Sequence, residues 1–320
     1  MRLWVSMGVK RGGDPREPLR PRLVELDTDT GQVVRHLDWD TPSGHGAGPR
    51  VHQEFTAGHP GDDGSFWQPT HTELLRIDVA RMEVVEQLAH PLFHGIHSVS
   101  PGRDGDFVLS AAGLDSVLEI DRRGQLVRHH FLGDGTFAGR HPEPRDFRRV
   151  PYDALKPHSH HPNHACWVGD SLFATCFETR RAHRLCGVGP DLALAEGIPH
   201  DGRLHDGLLW FTLVEGKVVA VHPDGHRVRT LDLTSLGPAD GLLGWCRGLE
   251  KVGHRLFVGF TQLRRSRHRE VARWLVRGRH GVKRPTRVVE IDLSGPPTIV
   301  AEHVLGNDAG GTIYGIWARP

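Results

Sequence analysis

Long apolar runs are missing from this chain. No stretch of about 18 apolar residues exists, so no spanning helix is expected. The opening residues, MRLWVSMGVKRGG, lack the apolar core of a signal peptide. The expectation is a cytoplasmic protein with no membrane partner. Cysteine is scarce: Cys166, Cys176, Cys186 and Cys246, with no CxxC spacing. That argues against a zinc knuckle and against a disulfide framework. The four read as core residues, with Cys166 and Cys176 on neighbouring strands and reduced. Lysine supplies only five of the 40 basic residues, a composition bias without functional content. The net charge is +1, so no overall field calls for nucleic acid or membrane. No nucleic-acid motif and no aromatic interleaving is present. Helical periodicity is nearly absent as well.

What is present is a repeat. Short alternating apolar runs are separated by Gly, Asp and Pro turns, the pattern of a many-stranded β fold. One hairpin phrase recurs: LVELDTDTGQVVRHLDW, LLRIDVARMEVVEQL, VLEIDRRGQLVRHHFL, VVAVHPDGHRVRTLDL and RVVEIDLSGPPTIVAEHV, with a weaker copy at AHRLCGVGPDLALAEGI. Asp-Gly at 224–225 and Arg-Gly at 123–124 suit the positive φ of tight turns. Before each hairpin lies another strand pair, as in ACWVGDSLFATCFE and GLEKVGHRLFVGFTQ. Each unit is therefore four antiparallel strands, A to D, which is one propeller blade. TIYGIWARP at the end reads as a lone A strand, and RLWVSMGV at the start as its B strand. Their meeting closes the ring and leaves no free sheet edge. The fold class expected is all-β: a six-bladed β-propeller, one domain over residues 1–320.

Two insertions interrupt the rhythm, 133–163 before blade four and 263–286 within blade six. In an up-and-down blade the D–A and B–C connections share one face, so both insertions are expected where the A strands begin. The second is rich in Arg and carries Val271, Trp274 and Leu275 at helical spacing. It reads as a short basic helix, either a lid that steers an anionic substrate, the reading its face favours, or a solvated helix with Arg around it.

The chain has 24 His, about three times an ordinary share. Aligning the A strands on the turns that end them gives His52, His97, His164, His200, Arg247 and Tyr314 at one register. In a propeller this strand is innermost, so one residue per blade faces the axis. Two residues on, alternation sends Glu54, Val99, Cys166, Gly202, Leu249 and Ile316 one layer down. That layer is mostly apolar or small and would form a dry floor. Four imidazoles on one axis would repel one another if protonated. A metal ion resolves this, since neutral imidazole ligates Fe, Cu, Zn and Ni.

The expected site thus has His97, His164 and His200 as core metal ligands and His52 as the fourth. The metal expected is a divalent transition ion, Fe(II) first, with Zn, Cu or Mn as alternatives. His94, His158, His160 and His161 lie just upstream, as further ligands or proton shuttles. Arg247 would orient an anionic small-molecule substrate, Tyr314 would move a proton, and Glu54 would act as base or support a ligand. Asp201 and Glu250 read as solvated or turn residues. The reaction would be an oxygenase step or a lyase or isomerase step. Two other readings are open: a metal-free hydrolase or lyase using His97 and Tyr314 as base and acid, and a non-catalytic propeller presenting its disc to a partner.

Phrases such as VLEIDRRGQLV and VVAVHPDGHRV resemble those of the propeller superfamily of SMP-30-like lactonases, streptogramin lyase and arylsulfotransferases. GWCRGLEKVGHRLFVGFTQLR with RPTRVVEIDL resembles a family of uncharacterised bacterial propellers. An axial set of four His is similar to that of carotenoid cleavage oxygenases, where it holds Fe(II), but that family has seven blades and Glu partners unmatched here. The acidic and Asn ligands of SMP-30-like enzymes find counterparts only in Glu54 and Asn163.

Overall fold

The computed structural model describes residues 1–10, 19–41, 53–237, 241–262, 282–305 and 311–319. Six four-stranded antiparallel sheets follow one another along the chain, as a six-bladed β-propeller. In blade one the last strand (Thr312–Ala318) pairs with the first (Arg2–Val9), which pairs with Arg20–Asp27 and then Gln32–Asp38. The expected closure of the ring by the two chain ends is what the sheet order gives. The inner strands of blades three to six are Ile96–Pro101, Pro162–Val168, Arg203–His205 and Trp245–Val252. Blade two begins with the short His59–Pro60. The hairpin turns hold Gly225 at φ 96° and Gly124 at φ 79°, a region open to glycine at little cost.

The core is divided rather than central. Six apolar clusters are each built from two adjacent blades. Leu3, Val5 and Ile316 of blade one pack on Phe257 and Val288 of blade six. Phe173 and Leu192 of blade four pack on Phe211 and Val219 of blade five. Blades thus bury their flat faces against neighbours, which holds the ring together and leaves the axis for polar groups. The outermost strands alternate; Glu83–Leu88 shows every second residue exposed.

A seventh cluster, Leu114, Phe147 and Leu155, anchors the insertion 133–163. Residues 263–281, the expected basic helix with Val271, Trp274 and Leu275, lie outside the described residues. No helix among the described residues is long and apolar enough to cross a membrane. All four cysteines are free; Cys176 and Cys246 are buried and Cys166 and Cys186 half-buried.

Candidate active site at the channel mouth

The inner strands share an irregularity. The pairing registers skip one residue at His97, at Asn163, at Gly248 and at Tyr314. Each is a β-bulge, an extra residue that bends the strand and re-aims a side chain. In blade five, residues 199 to 203 face residues 210 to 213, again one more on the inner side. The bulges gather the polar side chains where the inner strands begin. Gly248 has φ 73°, and a Cβ there would meet the Gly315 backbone at 3.2 Å, so glycine permits this close approach.

Six side chains form a closed circuit around the mouth. His97 meets His161 edge-on with ring centres 4.9 Å apart, and His161 meets Phe177 at 5.6 Å. Phe177 faces Trp245 near-parallel at 6.4 Å. The Arg247 guanidinium lies 4.4 Å from the Trp245 ring and 5.1 Å from the Tyr314 ring. Tyr314 returns to His97 at 6.0 Å. These residues come from blades three, four, six and one in ring order, so the circuit encloses the axis as a collar. His71 of blade two stacks on His97 at 6.1 Å, and His200 of blade five approaches Tyr314 at 6.1 Å.

Each polar group here has a partner or a reason to need one. The Tyr314 hydroxyl donates to Glu54 Oε2 at 2.6 Å, and His71 Nε2 lies 3.3 Å from the same oxygen. His97 Nδ1 lies 2.9 Å from Asn163 Oδ1, which fixes that nitrogen as the donor; Asn163 in turn donates to the Pro199 carbonyl at 3.1 Å. Nε2 of His97 is left as the basic nitrogen. Asp201 accepts from Thr212 Oγ1 and from Gly248 N at 3.0 Å, with His200 Nδ1 at 3.9 Å. Both ring nitrogens of His200 are buried without a hydrogen-bond partner. Burial holds the imidazoles neutral: His97 is far below its ordinary value, His200 is lowered, and His161 is lowered to about 3.

The insertion 133–163 roofs this mouth. Tyr152 stacks on His94 at 5.6 Å, packs on His158 at 5.3 Å, and reaches His161 Nδ1 at 3.3 Å. Gly95 carries φ 60°, and a Cβ there would stand 2.4 Å from the Tyr152 ring. Asp115, beneath the insertion, accepts the backbone N–H groups of Ser159, His160 and His161 at 2.8, 3.0 and 2.6 Å. The chain has only two tyrosines, and both stand here.

His97, His200, Arg247, Tyr314, Glu54 and His161 come together at the mouth. His52 lies outside the described residues. His164 is set lower: its register follows the Asn163 bulge, its Nδ1 is buried without partner, and burial lowers it to about 4. The His94 Nε2–H group donates to the Val150 carbonyl at 3.1 Å and supports the roof. His160 turns away and packs on His183 at 5.2 Å. Among the described residues no three His, Cys, Asp or Glu side chains form a set that could hold a metal ion. The floor is not mainly apolar as expected. Arg203 crosses the channel, donating from Nη1 to the Leu249 carbonyl at 2.8 Å and to the Ile316 carbonyl at 2.5 Å, with Glu250 at 2.6 Å. Asp201 and Glu250 are buried, not solvated. His71, Phe177 and Trp245 are site residues that A-strand alignment missed. His71 and Phe177 sit in B–C connections, on the face where topology had already put the insertions.

No family model matches this chain, and no curated protein matches it. Solved propellers do. A protein of unknown function from Bacteroides caccae is similar at 14% identity and TM-score 0.63, over 99% of this chain and 97% of that one. A streptogramin B lyase is similar at 12% identity and TM-score 0.53, over 96% and 89%. A catalytically inactive His-to-Ala virginiamycin B lyase from Staphylococcus aureus with quinupristin is similar at 11% and 0.53, over 97% and 92%. At these identities the likeness shows the fold, which places the chain among the β-propellers.

Proposed function

We propose that this propeller is an enzyme that moves a proton on a small organic substrate at the channel mouth, by lyase or isomerase chemistry. One observation carries this reading: a phenol and an imidazole of complementary chemistry stand together where the inner strands begin. Tyr314, whose hydroxyl would turn from Glu54 to the substrate, is the acid, and His97, neutral and with Nδ1 anchored on Asn163, is the base. Their ring centres are 6.0 Å apart. Arg247 would fix an anionic group of the substrate, and the roof of Tyr152 and His158 would limit water. The two lyase neighbours lend a precedent for lyases on this fold and no more.

The test is a substrate screen by mass spectrometry with wild type, Tyr314→Phe and His97→Gln. Turnover that falls by about 100-fold or more in each variant is expected for general acid–base groups. Turnover unchanged in both variants overturns the reading. If only substitutions on the outer strands matter, the chain is instead a binding scaffold.

A metal-dependent oxygenase or lyase is the second reading, favoured by the two unpartnered buried nitrogens of His200. The described residues do not assemble the ligand set, so His52 would have to complete it with His97 and His200. A divalent transition ion, Fe(II) foremost, would supply Lewis-acid or oxygen-activating chemistry there. Metal analysis of tag-free protein beside His200→Ala separates the two: one equivalent lost in the variant supports the metal, and activity that survives chelators supports the metal-free pair.

A further inference from the structure

We infer that the substrate is a monocarboxylate carried on a flat, conjugated or aromatic body, held by Arg247 for its charge and by Trp245 and Phe177 for its face. This rests on the reading that the mouth is a substrate site.

The collar is built almost wholly from flat side chains: two imidazoles, a phenyl, an indole, a phenol and a guanidinium. Arg247 brings its one permanent charge. Among the described residues that guanidinium makes no ion pair and no hydrogen bond, and its Nε is buried without a partner. It is nevertheless held in place, between the Trp245 ring at 4.4 Å and the Tyr314 ring at 5.1 Å. A cation fixed by two aromatic faces keeps its donor edge for another group. That fork fits a carboxylate in a bidentate pair. A single guanidinium balances one negative charge. A dianion would gain little from it, with the Glu54 carboxyl bonded to the neighbouring Tyr314 hydroxyl.

The second part of the inference comes from how Trp245 and Phe177 meet. Trp245 precedes Arg247 by two residues and shares its face of the inner strand of blade six. Phe177 follows the second strand of blade four (Ser171–Cys176). These blades are not neighbours, so the two rings reach across the top of blade five. They remain half-buried and are inclined by only 19°. Partly exposed aromatic rings beside a fixed cation make a wall for a flat anion. Such a wall favours an aromatic over an aliphatic body by several-fold in affinity.

The experiment titrates tag-free protein with benzoate, cyclohexanecarboxylate, benzyl alcohol and phenyl phosphate, read by tryptophan fluorescence and by ligand-observed NMR. Benzoate is expected to bind tightest, with cyclohexanecarboxylate and phenyl phosphate each several-fold weaker and benzyl alcohol about 10-fold weaker or more. Arg247→Gln should weaken benzoate about 10-fold and leave benzyl alcohol unchanged. Arg247→Lys, which keeps the charge and loses the fork, should fall between. Trp245→Leu and Phe177→Leu should erase the preference for benzoate over cyclohexanecarboxylate. Thermal unfolding of each variant within a few degrees of wild type shows that the fold is retained. Equal binding of the four probes, no binding at ~10 mM, or benzoate affinity unchanged in folded Arg247→Gln overturns the inference. Binding is read without turnover. Benzoate recognition with no catalysis would therefore remove the proposed enzyme and keep the ligand class; turnover of uncharged or aliphatic substrates would do the reverse.

Discussion

Tyr314, on the strand that closes the ring, donates its hydroxyl to Glu54 of blade two at 2.6 Å, across 260 residues of sequence. The bond spans the mouth beside His97 and ties blade one to blade two at the axis. A buried carboxyl that loses such a donor is left short of solvation. Tyr314→Phe should therefore lower stability by about 1–2 kcal/mol, as should Glu54→Gln. The double variant should cost clearly less than the two single losses together, because the pair acts as one unit. Urea unfolding of the four proteins measures this coupling. Strict additivity would mean that the hydroxyl and carboxyl do not interact.

Blades were legible because strand alternation and turn chemistry are local. The phrase VVAVHPDGHRVRTL states two strands and a turn in fourteen letters, and the fold follows it. The axial register was legible only in part. A bulge adds a residue without any mark in residue type, so counting back from the terminal turn placed His164 beside His97, where the structure has Asn163. Counting worked for His97 and Tyr314, whose bulges fall on the counted position. Arg203 was missed for a related reason: the inner strand of blade five is short, and the extra residue before it turns a charged side chain across the floor. His71 belongs to a loop that no strand alignment samples.

Asp115 should be the support of the roof. Its carboxylate takes three successive backbone N–H groups of the turn that delivers His161. Burial raises this carboxyl, and the N–H groups of His161, Ser159 and His160 outweigh burial and hold it below its ordinary value. Asp115 also sits at φ 49°, which Asn tolerates and Ala does not. Asp115→Asn should be mild. Asp115→Ala should cost about 3 kcal/mol and speed tryptic cleavage after Arg148 and Arg149 by at least 10-fold. Cleavage at the wild-type rate in Asp115→Ala would show the roof to be held by the Phe147 cluster alone.

The buried histidines predict an acid-labile fold. His94 and His164 are lowered to about 4 and His161 to about 3, from an ordinary value of 6.5, chiefly by burial. Between 6.5 and those values the unfolded chain binds protons that the folded chain refuses. Stability is then full above about pH 6.5 and falls as pH drops, on the order of 2 kcal/mol for each such group between pH 7 and 5. Urea unfolding at the two pH values tests the slope, and His164→Gln should remove one increment of it. Stability flat from pH 7 to 5 would mean that these rings titrate normally.

Closure of the ring by the last strand gives the strongest test of the architecture. Thr312–Ala318 buries Ile313, Ile316 and Trp317 and supplies the inner edge of blade one. Burying three such side chains is worth about 2–3 kcal/mol each, against a total stability of about 5–15 kcal/mol. A chain ending at Leu305 also leaves Arg2–Val9 as an open edge, prone to pair with other chains. It should show no cooperative thermal transition and should elute as aggregate on gel filtration. A peptide of residues 306–320 added in trans should restore part of the transition, because the strand's ladder partners are all in blade one. A truncated chain that melts cooperatively within a few degrees of the full chain would mean that the blade interfaces hold the ring without the closing strand.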